Sequence, residues 1–193
     1  MKAQHLTTAD YQRMPWKNGQ GSTTQLISAA NNAGSFDWRL SIAEVGQSGP
    51  FSDFSGYDRI ITLIEGAGMV LTFNGSMERR IDQAFAPLPF DGSWQTECTL
   101  LDGPLRDFNL MVAKGWGHAA MTILRPANGE KCEISDGAVV LLHVFQGDAV
   151  LDHGSSRFDL ATGDTLHLDG ASDSLLTAGS GAIIAAIYLE PKS

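Results

Sequence analysis

Hydrophobic and polar positions alternate with a period of two along most of the chain, and no stretch holds a 3.6-residue period over three turns. The cleanest run is Phe36-Asp37-Trp38-Arg39-Leu40-Ser41-Ile42-Ala43. It sets Trp38, Leu40 and Ile42 on one face and Arg39, Ser41 and Ala43 on the other. Residues 106–113 repeat the pattern, with Phe108, Leu110 and Val112 opposite Asp107, Asn109 and Met111. Between these runs lie a strand over 58–64, a turn at Glu65-Gly66-Ala67-Gly68, a return strand over 69–74 and a second turn at Asn74-Gly75. A polar edge strand follows over 78–81. Residues 23–29 and 95–101 read as further strands, and Asn31-Asn32-Ala33-Gly34 as a turn. The segment 84–90 is apolar but broken by proline, hence an edge or a loop. From Trp116 onward, short strands at 121–124, 138–145, 149–151, 156–160, 165–168, 174–178 and 182–189 alternate with glycine turns. Short strands at near-regular spacing predict an all-β fold.

Two stretches break the alternation. Pro15-Trp16-Lys17-Asn18-Gly19-Gln20-Gly21-Ser22-Thr23-Thr24 has no apolar period and many hydrogen-bonding groups. It reads either as a turn pinned by Trp16 or as one wall of a ligand site. Residues 44–57 form a long loop with three glycines, a proline and three aromatics, a length at which loops are usually functional or mobile.

An internal repeat organises the whole. Residues 60–71 line up with 141–151, each an apolar strand, a polar residue and a glycine, then a second apolar strand. The later copy continues into Gly163-Asp164-Thr165-Leu166-His167-Leu168, a rhythm similar to a cupin half-barrel. A separation of roughly eighty residues suits one small barrel per copy. The expected architecture is therefore a bicupin: two small antiparallel β-barrels or jelly rolls in one chain. Residues 1–115 would form an N-terminal barrel with a ligand pocket and 116–193 a C-terminal barrel, the two packed as one compact unit.

Charge narrows the partners. With 13 Lys and Arg against 22 Asp and Glu, the chain of 193 residues carries a formal net charge of −9. That argues against nucleic acid and against a membrane surface, since no basic patch exists to displace counterions. A small anionic metabolite stays compatible, because a few buried cations can make a positive pocket inside an acidic protein. The two cysteines, Cys98 and Cys132, show no metal-binding spacing, and free thiols in a reducing cytoplasm are the simpler reading. The start of the chain lacks a signal-peptide apolar run, and the longest apolar stretch, 181–189, is too short to span a bilayer. The expected location is the cytoplasm, and a homodimer through an exposed edge strand is compatible with the fold.

The chemistry-bearing residues favour binding over turnover and leave catalysis open. The histidines are His5, His118, His143, His153 and His167, with no His-x-His pair before the Glu65-Gly66 hairpin. His143 and His167 fall on neighbouring strands, without a carboxylate on the same strands, so no metal or other cofactor is expected. A metal-dependent cupin enzyme acting on a small organic acid through these two histidines is the alternative. An interaction protein docking through the 44–57 loop is a third. No nucleophile motif appears, and Cys98 reads as core. What stands out is a cation set, Lys17, Arg39 and Arg59. Turned inward, it would suit a carboxylate, which a guanidinium binds in bidentate fashion. Asp107 and Asn109 could then orient the arginines. The competing expectation is rim salt bridges from Arg39 and Arg59 to Asp37, Asp58 or Asp107.

Together, Pro15–Thr23, Trp38-Arg39-Leu40-Ser41-Ile42-Ala43, Gly49-Pro50-Phe51-Ser52, Gly56-Tyr57-Asp58-Arg59 and Asp107-Phe108-Asn109-Leu110-Met111 resemble the HutD/Ves family. The likeness is strong over about residues 10–115 and rests on rhythm beyond. Gln20 stands where that family usually has a small residue, and Thr24-Gln25 where Arg-Glu is usual. The resemblance implies a metal-free bicupin associated with bacterial histidine utilisation. The implied role is regulatory: binding urocanate, formylglutamate or formate. It makes Trp16, Lys17, Asn18, Arg39, Ser41, Arg59 and Asn109 the candidate ligand-binding residues, and gives no catalytic ones.

Overall fold

The computed structural model describes residues 3–31, 34–170 and 174–192. In chain order the first strands are β1 (Ala3–Leu6), β2 (Gln12–Pro15), β3 (Gly21–Ala30), β4 (Phe36–Val45), β5 (Gly49–Pro50), β6 (Tyr57–Glu65), β7 (Met69–Phe73), β8 (Met77–Ile81), β9 (Leu88–Asp91), β10 (Thr96–Leu100) and β11 (Leu105–Ala113). They continue as β12 (Gly117–Leu124), β13 (Lys131–Ile134), β14 (Val139–Gln146), β15 (Asp148–His153), β16 (Ser156–Ala161), β17 (Thr165–Asp169), β18 (Ser174–Ala178) and β19 (Ile183–Pro191). One turn of 3-10 helix spans Thr8–Asp10. The fold is all-β, and among the described residues no helix is long and apolar enough to cross a membrane.

The chain divides into two units, residues 11–116, and residues 117–192 together with 3–10. The first holds a six-stranded antiparallel sheet in the order β2-β3-β4-β11-β6-β9 and a four-stranded sheet in the order β5-β10-β7-β8. Ala43, Val45, Ile61 and Leu63 from the larger sheet meet Met69, Leu71, Phe73 and Cys98 from the smaller in one core. Burying each large apolar side chain there contributes about 2 kcal/mol. The second unit pairs a five-stranded sheet, β1-β17-β14-β19-β12, with a four-stranded one, β13-β18-β15-β16. Its core joins Val140, Leu142 and Val144 to Leu151, Leu160 and Leu176.

Several expectations change. Neither unit is a closed barrel: each pairs two open sheets. In the first unit the edge strands β2 and β9 carry Pro15 and Pro89, which cannot donate to a further strand. Residues 3–6, placed by sequence with the first barrel, pair with β17 in the other unit, Ala3 opposite Leu168. The strands β1, β2, β5 and β13 were not expected, and 84–90 resolves into a short edge strand after a loop. Of the expected turn Asn31-Asn32-Ala33-Gly34, Asn32 and Ala33 lie outside the described residues.

Candidate functional site

Three adjacent strands of the six-stranded sheet carry a polar ladder on one face. Register sets Arg59, Met111 and Arg39 on one rung, Ile61, Asn109 and Ser41 on the next, and Leu63, Asp107 and Ala43 on a third. Alternate residues share a face, so all nine point the same way. On the opposite face Trp38, Leu40, Ile42, Phe108, Leu110 and Val112 are buried as well. Ser41, Arg59, Asp107, Asn109 and Met111 of the ladder are buried too, so it is no solvated surface. It lines a cavity of about 510 Å³.

A hairpin closes one side. β2 and β3 are joined through residues 16–20, with the Trp16 amide donating to the Gly21 carbonyl at 2.9 Å and Gly19 to Trp16 at 3.0 Å. The Trp16 indole donates to Thr23 Oγ1 at 2.8 Å. A Cβ on Gly21 would lie 2.2 Å from the Glu44 carbonyl oxygen and 2.8 Å from Trp16 Cζ3, so only glycine lets the ring lie down here. Trp16 pins the turn and walls the cavity at once. Lys17 and Asn18 are exposed at this wall, and the Asn18 side chain bonds within its own loop, to Gln20.

The other side comes from the long loop before β6. Backbone bonds fasten it, Phe51 N to Thr96 O at 2.9 Å and Phe54 N to Gly92 O at 3.0 Å. The anchored rings meet the arginines. Arg59 Cζ lies 5.4, 5.3 and 4.8 Å from the ring centres of Phe51, Phe54 and Phe90. Arg39 Cζ lies 4.6 Å from Phe36 and 5.4 Å from Phe54. Such contacts stabilise a guanidinium without neutralising it, and leave its in-plane N–H groups for other partners.

Neither arginine forms an ion pair within 4 Å among the described residues; Asp58 and Asp91 instead approach Lys114, at 3.8 and 2.5 Å. Arg59 is 5% exposed; its Nη2 donates to Asn109 Oδ1 at 2.8 Å, and the Asn109 amide donates in turn to Asp107 Oδ1. Arg39 Nη2 donates to Met111 Sδ at 3.2 Å. Among the described residues, the Nε of both arginines and Asp107 Oδ2 are buried without a hydrogen-bond partner. Burial pulls the Arg59 guanidinium down to about 10, with Asp107 opposing and Arg39 assisting, so it stays charged at neutral pH. Burial lowers Arg39 too. Asp107, fully buried, is pushed up to about 7 by the same cause, against the pull of Arg59 and the Asn109 bond. The rim salt bridges set against an inward arrangement do not form.

All seven candidate ligand-binding residues, Trp16, Lys17, Asn18, Arg39, Ser41, Arg59 and Asn109, thus line one cavity. Sequence reading missed Phe36, Phe51, Phe54 and Met111; the aromatics of the 44–57 loop were the available signal, their target was not. Cys98 also lines the cavity, but burial pushes its thiol up to about 12. In the other unit His143 Nδ1 bonds Thr165 Oγ1 at 2.9 Å, and His167 Nε2 lies 3.1 Å from Asp169. Among the described residues no group of three or more His, Cys, Asp or Glu is placed to hold a metal ion.

The HutD family model matches residues 8–185. A Pseudomonas putida protein described as an uncharacterized 21.2 kDa protein in the hutC 3′ region is 46% identical over 111 residues, 57% of this chain and 58% of that protein. Protein Ves of Escherichia fergusonii is 33% identical over 107 residues, 53% of this chain and 56% of that one. The chain thus spans little more than half the length of these curated relatives. Among solved structures, a conserved protein of unknown function from Pseudomonas aeruginosa PAO1 is 36% identical, with a TM-score of 0.89 over 98% of this chain and all of that one. HutD from Pseudomonas fluorescens SBW25, in a formate condition, is 34% identical, with a TM-score of 0.83 over the whole of both chains. A cupin 2 conserved barrel domain protein from Leptotrichia buccalis, 11% identical, shares the fold alone, with a TM-score of 0.61 over 92% of each chain.

Proposed function

This chain belongs to the HutD family, and on that premise we propose that its cavity binds a small carboxylate and that the protein serves histidine utilisation as a regulator. One observation carries the reading. Two guanidiniums are held in one cavity by phenyl rings, with no carboxylate within 4 Å among the described residues. A buried guanidinium with no carboxylate partner is costly, and a bound anion offsets that cost. Arg59 would take the carboxylate, with Arg39 and Lys17 adding positive potential. Ser41 and Asn18 would supply neutral hydrogen bonds, and Trp16 an apolar wall. Asn109 already bonds Arg59 and Asp107, so its first role is to orient Arg59.

The proposal extends to the architecture. Each unit would be one cupin half, the chain a bicupin, the ligand held in the first half, and the protein cytoplasmic without a cofactor. Urocanate, formylglutamate and formate are the ligands to try. The P. putida relative's hutC-region description and the formate condition of the P. fluorescens structure support that choice. The test is calorimetric titration of all three into wild type and Arg59→Ala. A loss of at least tenfold in the variant is expected for the true ligand. Equal affinity in both proteins would remove Arg59 from the site, and no binding to wild type would contradict the reading.

A further inference from the structure

Asp107 is the cavity group that a simple anion site does not need. It lies on the third rung, fully buried, between Leu63 on β6 and Ala43 on β4. Oδ1 accepts from the Asn109 amide, while Oδ2 is buried with no donor among the described residues. No cation comes within ion-pair distance of it among the described residues. The charged and titratable groups around it are Arg59 from β6, the Cys98 thiol from β10, and Arg39 from β4 and Lys17 from the hairpin, which line the same cavity. Its hydrogen-bonded link to positive charge runs through Asn109 to Arg59, whose field also reaches it directly.

That arrangement sets two negative charges in competition. An anion seated on Arg59 takes the field that makes an ionised Asp107 tolerable, and adds like charge to the cavity that the fully buried Asp107 lines. Resting on the carboxylate-binding reading, we infer that an anion enters this cavity together with a proton, and that Asp107 takes up the proton. The balance is simple. Free anion, ionised Asp107 and one solvent proton give bound anion and neutral Asp107, with no other bond made or broken. The neutral carboxyl keeps an oxygen for the Asn109 amide and gains an O–H donor. Burial, which already pushes Asp107 up to about 7, brings the exchange into the physiological range. The affinity for a small carboxylate should then fall by up to tenfold per pH unit as pH rises past the midpoint of the free protein. Asp107 acts through Asn109 and Arg59, so it is a positioning residue.

The experiment has two readouts on the full chain. Carboxyl carbon NMR follows the Asp107 resonance, assigned with Asp107→Asn, from pH 5 to 9 without and with sodium formate. Calorimetry of formate binding to wild type at pH 7.5, in buffers of different ionisation heat, counts protons taken up and needs no variant. The expected results are a near-neutral midpoint in the free protein, an upward move with formate, and uptake of a substantial fraction of a proton. In Asp107→Asn the uptake should vanish and formate affinity become flat with pH. Formate binding without proton uptake would overturn the inference and leave the carboxylate reading standing. An Asp107 that titrates in the ordinary carboxylate range would overturn it too. Failure of formate, urocanate and formylglutamate alike to bind would sink both, whatever Asp107 does.

Discussion

Arg59 donates to the neutral Asn109 at 2.8 Å rather than to a carboxylate, although Asp107 sits one step further along the same bond chain. The amide holds the guanidinium in place without cancelling its charge. A structural arginine would gain more from a direct ion pair, so the spacing is that of a charge kept available.

Replacing Arg59 therefore separates the two uses of a buried arginine. At pH 5, where Asp107 is protonated, Arg59→Met should leave the ligand-free protein as stable as wild type or more so by about 1 kcal/mol, because a buried charge without a carboxylate partner is removed. Carboxylate binding should be lost at the same time. Arg59→Lys should not restore it, since an ammonium lacks the planar fork. Urea unfolding with calorimetry checks both; strong destabilisation by Arg59→Met would show a structural arginine.

The pH dependence of stability follows from Asp107. Its folded-state value is raised from 3.8 to about 7, so the folded protein binds more protons than the unfolded chain between those values. The stabilisation is complete below about pH 4 and is lost as pH rises through about 7. Asp107→Asn removes this dependence. Relative to wild type, the variant should gain on the order of a few kcal/mol between pH 4 and pH 8. Parallel urea-unfolding curves for the two proteins across that range would contradict the burial of an ionisable Asp107.

Gly21 is the weak point of the cavity wall. A methyl group there meets the Glu44 carbonyl and the Trp16 ring, so Gly21→Ala must displace the hairpin. The expected cost is about 2 kcal/mol in urea unfolding, with weaker carboxylate binding. Thr23→Val, which breaks only the indole bond, should cost about 1 kcal/mol.

The two thiols should differ in reach. Cys98 is buried and its thiol pushed up to about 12, while Cys132 is half-buried. A disulfide-exchange reagent at pH 8 should label Cys132 first, and Cys98 only after denaturation. Equal rates in the native protein would mean that the cavity opens to solvent more than the packing implies.

Much of this was legible before the structure because of where the long strands lie. Residues 36–43 and 106–113 pair directly, so a period of two assigned both faces correctly and put Arg39, Ser41, Asp107 and Asn109 on one side. The hairpin of β7 and β8 and its neighbours announced themselves by glycine turns. The strand β2, with all four residues exposed and Pro15 at its end, offers no alternation, and β5 is only two residues long. Phe51 and Phe54 carry no period either. Their contact with Arg59 depends on backbone bonds to Thr96 and Gly92, forty residues away in sequence by order of magnitude, which local pattern does not encode. The link from Asp107 to Arg59 needed the register of β6 against β11.

The central claim is that Arg59, with Arg39 adding positive potential, holds a carboxylate in the cavity of residues 11–116. Crystals grown separately with urocanate, formylglutamate and formate test it most directly. The account predicts carboxylate density in the cavity for at least one of them, with oxygens about 3 Å from guanidinium nitrogens of Arg59. Density for the acid elsewhere on the protein, with Arg59 turned onto Asp107, would contradict it.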